Sequence, residues 1–425
     1  MKFAFYKKCI TPKVGTGLAG YTRKPTSTGI YDDLYLQMLL MEDDQRRRLL
    51  LISADLIGFD ELFVRKLRRW ITLQDPAIKP ENVNFSVTHT HCGPCTVHFV
   101  RSVGTLNTEY LRFLEGAIHA GVGHLVHSLG TGSLYYGKGR CALAVNRRRP
   151  ATRTVDGRRI VQYEMRPNLQ GSVDHELGVL CIRNRSEEIV VLNCACHPTT
   201  RGGYNISGDY PAAAMRALRS DSYAKREVMF LQGAGADSRV PCMTDDCLSF
   251  RPGTADDVIA YGNIVADAAR RILKKGLVKI QPGFSAARLV FKLPYDTGWV
   301  VDVPRKDKEY WELVKWRKTH FGLSGVPMEW VIWRLGNNCV MMSLPGEVCH
   351  GIGLMAKKMM NVKYPFFLGY TNGLPTYIPT DAIIREGGYE GLEALNPYGQ
   401  PYPFKAGVDN ILKGTLQKTF SLLGT

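Results

Sequence analysis

Three short apolar segments each run straight into a polar turn, and this pattern constrains the chain more than any other feature. Residues 83–88 lead into His89-Thr90-His91, residues 189–195 into His197-Pro198-Thr199, and residues 228–231 into the turn at 233–237. A brief apolar run bounded by turn residues reads as a buried strand. In open α/β sheets, ligands bind beyond the carboxyl ends of the strands. The three turns are therefore predicted to converge on one site.

The rest of the chain supplies the layers such strands need. Residues 34–41 and 48–54 read as paired strands, with Arg46 in the polar turn between them. Residues 60–70 have helical spacing, with Leu62, Val64, Leu67 and Trp70 apolar. Residues 108–129 form a second amphipathic pattern. Residues 178–182 pair with 189–195 across the charged turn 185–188, and 256–274 is a helix. Residues 331–335 and 339–344 form a hairpin around Gly336-Asn337-Asn338. Pro345-Gly346-Glu347 follows, then a helix to about Met360, and 409–422 is a C-terminal helix. Strands and helices alternate, which predicts an α/β fold. Residues 1–425 read as one large catalytic domain. The Arg-rich stretch 147–168 and the stretch 281–308 break the pattern and read as insertions or loops.

Charge and composition exclude several classes. The net charge is +16, from 55 basic and 39 acidic residues. Arg46-Arg47-Arg48 and Arg147-Arg148-Arg149 have no interleaved aromatics, and no nucleic-acid-binding motif is present. The excess reads as a solvated basic surface or a preference for anionic substrates, not as a nucleic-acid interface. No apolar run approaches the roughly 18 residues that span a bilayer. The first residues lack the apolar core of a secretion signal. The eleven cysteines follow no framework spacing. A cytoplasmic protein with reduced thiols is expected.

Several residues could carry chemistry. His89 and His91, two apart on a strand end, would face opposite ways unless the chain twists or bulges there. Turned together, they can bind zinc, or one can bind while the other handles protons. His197 stands in the same kind of position. Cys92-Gly93-Pro94-Cys95 offers a competing dithiol redox motif. Cys194-x-Cys196-His197 could bind a soft metal, although cysteines on an apolar strand are usually small buried hydrophobes. His124 and His127 read as a surface pair. Glu347, Tyr377 and Tyr389 carry no signal by themselves.

As an ordered set, these pieces resemble the neutral, non-lysosomal ceramidase family over nearly the whole chain. Residues 15–21 resemble its early glycine-rich segment. His89-Thr90-His91-Cys92-Gly93-Pro94 is similar to its H-T-H-S-G-P motif, and Asn146-Arg147 to its Asn-Arg segment. His197-Pro198-Thr199 and Ser207-Gly208-Asp209 resemble its H-P-T and S-G-D pair, and residues 232–237 its glycine–aspartate turn. Pro345-Gly346-Glu347, Thr371-Asn372, Tyr377 and Tyr389-Glu390-Gly391 resemble later elements in family order. Cys92 and Cys95 stand where the family has Ser and Gly, and Ser238-Arg239-Val240 where it has V-S-P. The family's C-terminal immunoglobulin-like domain is expected to be absent.

The resemblance implies a neutral-ceramidase-like domain of mixed sheets flanked by helices. It implies a Zn²⁺ held by His89, His197, Glu347 and Tyr377, with His91, Arg147 and Tyr389 against the substrate amide. The expected activity is hydrolysis of the amide bond of an N-acyl, lipid-like or small substrate, as in sphingolipid metabolism. A metal-dependent esterase or deacetylase acting on a small, anionic, soluble molecule is the alternative. A dithiol oxidoreductase using Cys92 and Cys95 is a third reading.

Overall fold

Period-two alternation sends successive side chains of a strand to opposite faces, and here both faces are apolar and covered. In the strand Tyr35–Glu42, Leu36, Met38 and Leu40 point one way and Leu39 and Met41 the other, all fully buried. That strand lies mid-sheet in the order Val83–Val87, Arg48–Ala54, Tyr35–Glu42, Lys2–Cys9, Gly130–Thr131. A second sheet has the order Lys225–Gln232, Glu187–Cys194, Glu176–Arg183, Ser133–Arg140, Val278–Ile280. A third runs Ser285–Pro294, Gly325–Gly336, Cys339–Ser343, Tyr364–Leu368. The computed structural model describes residues 1–23, 26–220, 225–299 and 307–423.

The three sheets share one core. Leu39 and Met41 of the first meet Leu180, Ile182 and Val191 of the second and Val331, Trp333 and Met341 of the third. Each sheet turns its other face to its own helices. Glu61–Gln74 and Thr108–His127 cover the first, where Leu67 and Ile118 pack on Met38 and Ile52. Asp209–Arg219 and Ala255–Lys275 cover the second, and His350–Met360 and Val408–Ser421 the third. Each buried Leu, Ile or Phe contributes about 1.5–3 kcal/mol relative to exposure, so the shared core is the main adhesive between sheets. The α/β reading of the sequence stands, with mixed sheets flanked by helices.

The same β-α-β unit occurs once in each sheet. Helix Glu61–Gln74 links Arg48–Ala54 to its parallel neighbour Val83–Val87. Helix Asp209–Arg219 lies between Glu187–Cys194 and its parallel neighbour Lys225–Gln232. Helix His350–Met360 lies between Cys339–Ser343 and its parallel neighbour Tyr364–Leu368. Parallel neighbours place their carboxyl ends side by side. The loops that leave those ends build the site described below.

Two stretches read as loops are ordered strands. Residues 147–168 fall in a hairpin, Val145–Val155 paired with Arg158–Asn168. Both faces of its outer half are exposed, so it carries no apolar period to read. Its turn, Asp156-Gly157 with both φ positive, was the available signal. Within 281–308, Ser285–Pro294 is a strand paired with Gly325–Gly336. Residues 300–306 of that stretch lie outside the described residues.

Candidate metal centre and its cavity

The centre assembles where the strands end. His89 stands two residues beyond Val83–Val87, with φ at +65°. That left-handed turn, costly for a residue other than glycine, breaks the strand's alternation. It thereby lets His89 and His91 face the same point. His197 follows Glu187–Cys194, and Glu347 follows Cys339–Ser343. Gly346, at φ +87°, makes the turn that aims Glu347 inward, and a Cβ there would meet Thr376 O at 2.6 Å. Glu347 then pairs in parallel with Tyr377.

Three imidazole nitrogens converge, and a carboxylate oxygen lies against two of them. His91 Nε2 lies 3.2 Å from His89 Nε2 and 3.1 Å from His197 Nε2. Glu347 Oε2 lies 3.4 Å from His89 Nε2 and 3.6 Å from His197 Nε2. A tetrahedral shell with bonds of about 2.0–2.1 Å sets neighbouring donors about 3.3 Å apart. Glu347 Oε2 is buried and accepts no hydrogen bond, while Tyr398 Oη donates to Oε1. A buried carboxylate oxygen without a partner is costly unless a cation faces it. One ring nitrogen from each of His89, His91 and His197 lies within 4.8 Å of the other two. This donor set fits a divalent cation.

Neighbours fix the imidazoles for that task. The carbonyl of Ile57 can only accept, so His89 Nδ1 donates to it at 2.6 Å and leaves a lone pair on Nε2. Gly20 O does the same for His91 Nδ1 at 3.0 Å. Tyr370 Oη sits 3.3 Å from His197 Nδ1. Burial, reinforced by His89 and nearby arginines, pushes His91 well below the ordinary imidazole range. Burial and then Arg147 do the same to His197. Both rings are neutral, as ligation requires.

The centre opens into a cavity of about 350 Å³ lined by Tyr21, Phe99, Arg147, Arg239, Tyr377, Tyr389 and Tyr398, among others. Arg147 Nη2 donates to Tyr377 Oη at 3.0 Å, and its guanidinium lies 5.5 Å from the Tyr389 ring centre. Its Nε donates to Glu390 at 2.7 Å. All seven side chains singled out in the sequence therefore sit in or around one place. Tyr370, Tyr398 and Arg239 also belong to it and went unread. Tyr370 could have been found, since it stands just past the strand end at Leu368. Tyr398 comes from an irregular segment that carries no pattern.

The structure lends the dithiol reading no support. Cys92 and Cys95 are unpaired and buried, and burial pushes their thiols up to about 11 and about 12. Thiols held protonated are not nucleophiles. Cys194 and Cys196 are likewise free and buried within the second sheet's core. His124 and His127 are exposed.

The fold and this cluster define a class: a three-sheet α/β protein with a histidine–carboxylate centre at the carboxyl ends of its strands. Solved structures share the fold. A ceramidase complexed with C2 superposes with a TM-score of 0.76 over 98% of this chain and 74% of its own, at 16% identity. The neutral ceramidase from Pseudomonas aeruginosa gives 0.74 over 100% of this chain and 75% of its own, also at 16% identity. The chain thus has the neutral-ceramidase fold. No protein-family model and no curated protein matches the sequence.

Proposed function

We propose that this chain is a metal-dependent amidohydrolase that cleaves the C–N bond of an N-acyl substrate. The observation that carries the reading is the unpartnered Glu347 Oε2 facing the Nε2 atoms of His89 and His197, with His91 Nε2 beside them, in the wall of a cavity. We assign His89, His197 and Glu347 as ligands of a zinc ion, since nitrogen and carboxylate donors at this spacing suit zinc. Tyr377, paired across from Glu347, completes the set. When bound, the ion supplies Lewis-acid polarisation of a carbonyl and makes water more acidic.

The remaining side chains do the rest. His91, neutral and with its Nδ1 proton held by Gly20, presents the Nε2 lone pair to the cavity. It takes a proton from the attacking water as the water oxygen bonds to the acyl carbon. Tyr389 donates to the developing oxyanion, with Arg147 fixing the tyrosines around it. The C–N bond then breaks as His91 returns its proton to the nitrogen, giving a carboxylic acid and an amine. We read residues 1–425 as one catalytic domain, because its sheets share a core. The eleven unpaired cysteines support a reducing, cytoplasmic setting. No helix among the described residues is long and apolar enough to cross a membrane.

The test combines metal analysis with a panel of short-chain N-acyl amides, matching acyl esters and ceramide. Stoichiometric zinc and amide turnover are expected. Turnover of esters alone would move the assignment to esterase chemistry. A second check is Gly20→Ala. At φ +96°, a Cβ on Gly20 would meet His91 Nδ1 at 2.4 Å. The ring must shift, and a misplacement near 1 Å costs about 100-fold in rate. Turnover should fall by about that factor while zinc is retained. Unchanged turnover would remove His91 from the reaction.

A further inference from the structure

We infer that the substrate of this site carries a carboxylate, as in an N-acyl amino acid, and that Arg239 receives it. The inference rests on the amidohydrolase reading for the scissile bond, but on Arg239 alone for the charge. Arg239 lines the same cavity as His91, His197 and Glu347. Its backbone is fixed beside the centre, bridged to His197 on one side and paired with Val145 on the other. Its guanidinium packs over the Phe250 ring at 4.9 Å, and Nη2 donates to Thr199 O at 3.2 Å. Its Nε is buried and donates to nothing. No carboxylate among the described residues comes within 4.0 Å of it.

The fully buried arginines among the described residues are compensated. Arg147 and Arg148 share Glu390, and Arg68 pairs with Glu329 at 2.6 Å. Arg239, half-buried in the cavity wall, has no such partner. Arg23, which donates to the backbone carbonyls of Ala19, His91 and Gly203, also has a buried Nε without a partner. Arg23 lies outside the cavity lining, whereas Arg239 is part of it. A neutral substrate would cover the rest of the guanidinium without neutralising its charge, a cost of desolvation with no return. A carboxylate accepts from guanidinium N–H groups in a fixed fork geometry. The cavity, at about 350 Å³, lies at the small end of small-molecule sites. A compact N-acyl amino acid suits it. The chain's net charge of +16 would draw such an anion inward.

The test is binding before turnover. N-hexanoylglycine and its uncharged carboxamide are titrated calorimetrically into the full chain stripped of metal, which removes direct carboxylate–metal contact. The wild type should bind the carboxylate about tenfold or more tightly than the amide, as a charge-assisted hydrogen bond implies. Arg239→Gln should erase that preference and Arg239→Lys keep part of it. Equal affinity of the wild type for both ligands overturns the proposal, as does an undiminished preference in Arg239→Gln, with folding checked by circular dichroism. If the preference is present but the metal-loaded protein hydrolyses neither compound, the carboxylate site stands and the amidohydrolase reading fails.

Discussion

Glu347→Gln is expected to strip the centre of its metal and abolish turnover. The change keeps the side chain's volume but exchanges an unpartnered anionic oxygen for a neutral amide facing the imidazoles of His89 and His197. Altering groups that merely orient ligands costs about 10–100-fold in metal affinity or activity. Losing the one carboxylate should cost at least about 100-fold in affinity. His89→Ala and His197→Ala should behave alike. His91→Ala is the informative contrast, because its Nε2 lies as near the centre as the carboxylate does. Retained zinc with lost turnover places His91 on the substrate, whereas lost zinc makes it a ligand in place of Tyr377. Zinc content by mass spectrometry after dialysis, beside amide turnover, decides each case. Full zinc and full turnover in Glu347→Gln would locate the centre elsewhere. The same geometry fixes a pH dependence. The unfolded chain takes up protons near the ordinary imidazole value of 6.5, which folded His91 and His197 refuse. By linkage, the metal-free protein should be most stable above that value and lose stability as pH falls below it.

Much of this centre was legible in the sequence because strand ends announce themselves. An apolar run that stops at His89 or His197 tells both where the backbone turns and what it offers there. Glu347 and Tyr377 were weaker, since neither pattern nor spacing separates them from ordinary helix-start or loop residues. They entered only through the ordered resemblance. Tyr398 and Arg239 were invisible for a physical reason. Each reaches the centre through tertiary packing, one from an irregular segment and one from a two-residue strand. The hairpin Val145–Val155/Arg158–Asn168 was missed because both faces of its outer half meet water, which erases the periodicity that reveals strands. The three β-α-β units show no sequence repeat, because each sheet packs a different set of side chains into the shared core.

Glu390→Ala is expected to give the largest loss of stability among single changes near the site. Glu390 is 2% exposed and lies between Arg147 and Arg148, 4% and 6% exposed, at 2.7 Å from each. Consecutive strand residues ordinarily face opposite ways, so two neighbouring arginines should not share one carboxylate. They do so here because the register shifts between Asn146 and Arg148, a bulge that re-aims the strand. Removing the carboxylate strands a buried charge. Arg148 keeps Glu386 at 3.0 Å, but Arg147 is left with only the Tyr377 hydroxyl. A guanidinium does not give up its proton in a protein, so Arg147 cannot escape by becoming neutral. Breaking a buried pair from one side costs about 3–5 kcal/mol, a large share of the roughly 5–15 kcal/mol that holds a domain folded. Urea denaturation followed by circular dichroism should show that loss. Glu390→Gln, which keeps an acceptor of the same shape, should recover part of it. Since Arg147 also positions Tyr377 and Tyr389, amide turnover should fall in both variants while the Glu390→Gln protein stays folded and retains zinc. A Glu390→Ala protein within 1 kcal/mol of wild type (about the scatter of an exposed pair) would mean that water reaches Arg147 and that the network holds neither the fold nor the tyrosines.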